Sequence, residues 1–181
     1  MNDQRNSPNP QQDLTRKRMI WLIISLSLIM LSLVIIFVIN KPGSIDGVVI
    51  YDKQIRGHDD SLLLESSYLP PVGGVHNSQW QECGIYSEPV SPEKAVHSLE
   101  NGAVWITYQP DLAAGEVAKL EALAGDQDYL LLSPYPGQRS PIVLTAWGVQ
   151  LEVESSDDDR IGAFISRYRL GPTTPERGAA C

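Results

Sequence analysis

Basic residues, cysteines and histidines are all scarce in this chain. Its 181 residues carry 14 Lys and Arg against 22 Asp and Glu, a formal net charge of −8. A nucleic-acid binder held by phosphate contacts needs a basic face, so this balance excludes one. Two cysteines and three histidines are too few for a zinc-finger array or a dense disulfide scaffold. There is no nucleophile elbow, phosphate-cradling glycine loop or dinucleotide fingerprint, and Gly73-Gly74 alone is no such signal. Charged residues are 20% of the chain and hydrophobic ones 43%, which separates it from a disordered acidic chain. What remains is one small globular domain and one long apolar run.

The run extends from Met19 to Ile39 without a charged residue, and only Ser25, Ser27 and Ser32 interrupt its apolar character. At about 1.5 Å per residue such a helix spans roughly 32 Å, enough to cross a bilayer core once. Arg16, Lys17 and Arg18 precede it, and only Lys41 follows closely. The positive-inside rule then places the N-terminus in the cytoplasm and the rest of the chain outside. A cleaved secretory signal has a shorter apolar core and a small-residue cleavage site, which does not follow Ile39. The expected organisation is a disordered cytoplasmic lead over 1–18, a transmembrane helix over 19–39, a linker with a juxtamembrane strand over 40–56, and an extracytoplasmic domain over 57–181. Residues 19–181 carry a net acidic charge, so this domain should be repelled by anionic lipid.

Within the outer part, Gly47 to Tyr51 reads as a strand, and Leu62 to Leu64 as a second short one. Pro70-Pro71-Val72-Gly73-Gly74 breaks regular structure and opens a loop to about Val90 that carries His76, Trp80, Cys83 and Tyr86. Ser91-Pro92-Glu93 is a helix start, with a cap, a proline in the first turn and an acid near the dipole's positive end. That helix should end at Asn101-Gly102 and lead into a strand over 103–108. A second helix is expected over 113–124 and a buried strand over 128–133. Residues 142–147 and 149–153 read as one bent strand or two broken at Gly148, with Gln150 and Glu152 on a wet face. A last helix starts in Asp157-Asp158-Asp159 and runs to about Arg169. These elements make an α+β domain with a small mixed, partly antiparallel sheet and about three helices, preceded by one transmembrane helix.

Cys83 and Cys181 are the only thiols, and the topology places both where disulfides persist. Their pairing is expected, because it would pin a proline-rich tail that cannot be helical.

Several motifs occur in order: His76-Asn-Ser-Gln-Trp80-Gln-Glu-Cys83-Gly84, Ala95-Val96-His97-Ser98-Leu99-Glu100-Asn101-Gly102, Ser133-Pro134-Tyr135-Pro136-Gly137, Thr145-Ala146-Trp147-Gly148 and a terminal Cys181. In these the chain resembles the bacterial domain of unknown function DUF3105, from about Gly57 to the end. The resemblance implies a membrane-anchored extracytoplasmic protein but no established activity. The family pattern reads His-Ser-x-Glu-His-Gly at the helix end, and Asn101 stands here in place of its second histidine.

On a helix, His97, Glu100 and Asn101 share a face, and His76 on the preceding loop can lie over it. His76, His97 and Glu100 are therefore the candidate metal ligands, with copper or zinc as the cofactor. Trp80, Tyr86, Asn101 and Trp147 form the surrounding ligand-binding or structural network. His58, in Gly57-His58-Asp59-Asp60, is expected to face solvent. The leading reading is a non-enzymatic, membrane-anchored domain that binds a ligand, metal or envelope protein partner and no nucleic acid. A metal-dependent hydrolase using the same residues and a purely structural envelope subunit both stay open, the latter because buried His and Glu also serve as paired structural groups.

Overall fold

The computed structural model describes residues 10–39, 43–64, 69–125 and 127–181, and the chain divides into two compact units, Met1–Gly43 and Ser44–Cys181. The first unit is helix α1 (Pro10–Ile39), whose Leu14–Ile36 stretch is long and apolar enough to cross a membrane. Its serines do not spoil the span. Ser25, Ser27 and Ser32 each donate back to a carbonyl three or four residues earlier, at 2.7–2.9 Å, which satisfies the hydroxyls inside the helix. The helix starts at Pro10, so residues 10–18 are helical where a disordered lead was expected. Proline is tolerated in the first turn and glutamines propagate well, so the apolar helix extends backwards through them. Residues 1–9 and 40–42 lie outside the described residues.

The second unit contains β1 (Val49–Ile50), β2 (Gly84–Ile85), α2 (Pro92–Asn101), β3 (Val104–Tyr108), α3 (Ala114–Gly125), β4 (Leu130–Pro134), β5 (Ile142–Ala146), β6 (Val149–Val153) and α4 (Arg160–Tyr168). The strands form one mixed sheet in the order β1-β6-β5-β3-β4-β2. β2 and β3 run parallel to β4, whereas β5 is antiparallel to both β3 and β6. This is the expected α+β architecture, with three helices on a sheet buried on both faces.

Alternation along β3 assigns those faces. Val104, Ile106 and Tyr108 join a core with Leu120 of α3 and Phe164 of α4. Trp105 points the other way, into a core with Val96 and Leu99 of α2 and with Trp147. Successive strand side chains point to opposite faces, so α2 is the helix that packs on the second face and its polar residues lie there.

Several expectations are corrected. Leu62–Leu64 form no strand; the Leu64 amide instead donates to the Glu93 carboxylate at 2.6 Å. The supposed loop contains β2, which no periodicity announces because it is only two residues long. Of the two readings left open for residues 142–153, the structure has the two strands, turning at Trp147-Gly148, where Gly148 has φ +71°. Gln150 does not face water: it is 2% exposed, donates to the Pro70 carbonyl and Thr145 Oγ1 at 3.0 Å, and accepts from Tyr51. The 43–64 segment and the Pro70 loop cover the face that alternation alone would leave wet. Helix α4 spans Arg160–Tyr168 with Asp159 at its N-cap, so it does start from the aspartate triplet, and Asp158 pairs with the Arg160 side chain.

Candidate metal centre

Helix α2 is positioned by local chemistry at both ends. Ser91 is extended and its side chain accepts from the Lys94 amide at 3.3 Å, satisfying one of the open N-terminal donors. At the other end Gly102 has φ +114°, and a Cβ there would lie 2.7 Å from Leu170 Cδ2, so glycine is required by both conformation and space. From Ala95 to Asn101 every residue of the helix is buried. The polar residues among them must therefore find partners.

All three histidines of the chain meet there. One ligand atom from each of His58, His76, His97 and Glu100 lies within 4.8 Å of the others. His76 is completely buried and Glu100 is 2% exposed. His58 and His76 are held side by side by a short backbone bridge, with the His76 amide donating to Gly57 at 3.0 Å and the Asp59 amide to His76 at 2.8 Å. The rings of His76 and His97 have centroids 5.0 Å apart.

The hydrogen bonds orient both buried rings. His76 Nδ1 donates to the Gly74 carbonyl at 2.8 Å, and His97 Nδ1 donates to the Asn77 carbonyl at 2.9 Å. Donation from Nδ1 leaves Nε2 as the bare lone pair of each neutral ring, the arrangement that backbone carbonyls impose on metal-binding histidines. His76 Nε2 lies 3.1 Å from Glu100 Oε2 but has no hydrogen-bond partner among the described residues. Two acceptors face one another at that distance. Burial, the largest influence, pushes the His76 imidazole below its ordinary pKa, with His97 and His58 acting in the same direction against Gly74 and Glu100. The other oxygen of Glu100 accepts from Arg56, which also pairs with Glu176.

The candidate residues from the sequence separate into three groups. His76, His97 and Glu100 come together as expected. His58 is exposed, as expected, yet its ring stacks on His97 and joins the cluster. Asn101 does not belong to it. Its Nδ2 donates to the Ala180 carbonyl at 2.6 Å, so the shared helical face divides and Asn101 serves the tail. Trp147 packs edge-on against His76 at 5.9 Å, and half-exposed Trp80 lies 6.1 Å from His97. Tyr86 stands apart, bonded to the Glu82 carbonyl and packed on the α2 core. Sequence reasoning missed Arg56 and the Gly74 and Asn77 carbonyls, which carry no pattern of their own. Cys83 and Cys181 stand at disulfide distance, with Cα atoms 5.1 Å apart.

The family described as protein of unknown function (DUF3105) matches residues 64–181, more than half of the chain. The chain belongs to the DUF3105 family. No curated protein and no solved structure matches it. Within this DUF3105 chain, His76, His97 and Glu100 fall inside the matched region, while His58 and Arg56 precede it.

Proposed function

We propose that this membrane-anchored DUF3105 protein binds a divalent transition metal, copper or zinc, through His76, His97, Glu100 and His58 in an extracytoplasmic domain. One observation carries the reading: the bare, buried Nε2 of His76 faces Glu100 Oε2 at 3.1 Å. A cation between them converts a repulsive contact into two bonds, and the burial that lowers the proton affinity of the His76 imidazole weakens the proton's competition for that nitrogen. Imidazole and carboxylate without thiolate suit zinc and copper(II), and the Irving–Williams order favours copper where both are present. The exposed fourth ligand gives an ion a way in from solvent.

The test is elemental mass spectrometry of the full chain, purified in detergent without a histidine tag, before and after loading with copper or zinc. Near one ion per chain, lost in His97→Ala, is the expected result. Absence of stoichiometric metal leaves a structural network and overturns the proposal. The outward orientation is supported by Arg16, Lys17 and Arg18 before the apolar stretch. Protease added to intact cells should then digest the C-terminal domain, and protection from it would reverse the topology.

A further inference from the structure

Two segments outside α2 hold the helix that carries His97 and Glu100, and one sulfur bridge joins them. In the loop before the helix, the Asn77 amide donates to the Glu93 carbonyl at 3.3 Å and the Gln81 amide to the Lys94 carbonyl at 3.0 Å. Ser98 Oγ donates to the Gln81 carbonyl, and the Asn77 carbonyl accepts His97 Nδ1. In the C-terminal tail, the Glu176 and Gly178 amides donate to the Glu100 and Asn101 carbonyls at 3.0 and 3.1 Å. These are helix-end carbonyls that have no partner within the helix. The Glu176 carboxylate shares Arg56 with Glu100. Cys83 lies just beyond the first set of contacts and Cys181 just beyond the second.

The bridge is also accessible. Both cysteines are half-buried and, with Gly84, Ile85, Gly125 and Tyr129, line an open cavity of about 490 Å³. β2, which directly follows Cys83, is an edge strand of the sheet. An edge offers unpaired backbone groups to an extended segment of another protein.

We propose that Cys83–Cys181 is an exchange site for a dithiol protein, and that its oxidation state decides whether the metal centre retains its ion. The second half rests on the metal-binding reading above; the first does not. A thiolate of the dithiol partner attacks Cys181 Sγ, the sulfur–sulfur bond breaks, and Cys83 leaves as a thiolate and takes up a proton. The partner's second thiolate then displaces Cys181 from the mixed disulfide, and Cys181 is protonated in turn. The partner ends as a disulfide, two electrons poorer, and this chain as two thiols. The tail, no longer fastened to the loop, gives up its hold on Arg56 and on the end of α2. The Asn77 segment then no longer fixes the His97 ring.

The experiment compares the full chain in detergent as oxidised protein, as protein reduced by a purified CxxC dithiol protein, and as the Cys83→Ser/Cys181→Ser variant. Each is loaded with zinc and followed by transfer to a chromophoric chelator, and each metal-free form is followed by amide hydrogen exchange. The serine variant removes the thiols as competing ligands, and the reduced native chain serves if that variant does not fold. The expected result is zinc release at least tenfold faster without the bridge, with faster exchange at the Gln81, Glu176 and Gly178 amides. Equal release and equal exchange in all forms overturn the lock. A bridge that resists the dithiol protein in the folded chain overturns the exchange site. Faster exchange in a chain that takes up no zinc even when oxidised overturns the metal reading while supporting the clamp.

Discussion

The rings of His58 and His97 stack with centroids 5.0 Å apart and planes 16° apart, one on an exposed segment and the other on a buried helix. This division of environment separates metal binding from stability. His58→Ala should leave the metal-free unfolding free energy within about 0.5 kcal/mol of the native chain, yet weaken zinc or copper binding about tenfold or more. His76→Ala should weaken binding and also cost about 2–4 kcal/mol without metal, since it empties a fully buried site and strips the Gly74 carbonyl of its donor. Denaturant unfolding with and without metal checks both. Equal destabilisation by the two substitutions would contradict the assignment.

Gly102→Ala should lower the melting temperature by several degrees. The new Cβ would meet Leu170 Cδ2 at 2.7 Å and Leu170 Cα at 3.3 Å, at a φ of +114°. A loss of about 1–3 kcal/mol follows from strain of that kind. A thermal melt unchanged by the substitution would show that the turn between α2 and β3 relaxes freely.

The buried core should be far more sensitive to truncation than the exposed edge of the sheet. Phe164→Ala removes a completely buried ring that packs against Tyr168, with centroids 4.7 Å apart, and should cost about 3–5 kcal/mol. Ile85→Ser, on the exposed edge strand, should stay within about 0.5 kcal/mol. Chemical denaturation of the two variants side by side is sufficient.

Acid sensitivity should come in part from Glu116. The Ser156 amide and hydroxyl, then the Ser155 hydroxyl, hold its carboxyl down to about 2 from an ordinary 4.5. A group depressed in the folded state stabilises above its unfolded pKa and loses that contribution as pH falls through its folded one. The loss therefore runs from about pH 4.5 down to about pH 2. Glu116→Gln should flatten the decline of unfolding midpoint across this interval. Parallel curves for native and variant chains would place the acid-sensitive group elsewhere.

The boundaries of α2 were legible because each end is written in adjacent residues: Ser91-Pro92-Glu93 supplies a cap, a preset φ and a charge, and Asn101-Gly102 supplies the left-handed stop. The apolar stretch of α1 was legible for the same reason, since lack of charge over a bilayer's thickness is a local property. The burial of Gln150 was not, because its partners at Pro70 and Tyr51 come from distant segments laid over a strand whose alternation pointed outward.

The sequence by itself determined the apolar stretch of α1, the two ends of α2 and the placing of His97 and Glu100 on one helical face, one turn apart. Only the tertiary structure decided that His58 and Arg56 join them, that His76 presents a bare nitrogen to Glu100, and that Asn101 turns to the tail. The physical reason is that propensity and periodicity act between near neighbours. The convergence of segments around residues 56–58, 74–77, 97–101 and 176–181 is set instead by which buried polar groups find partners across long chain separations, and that leaves no period in the sequence to read.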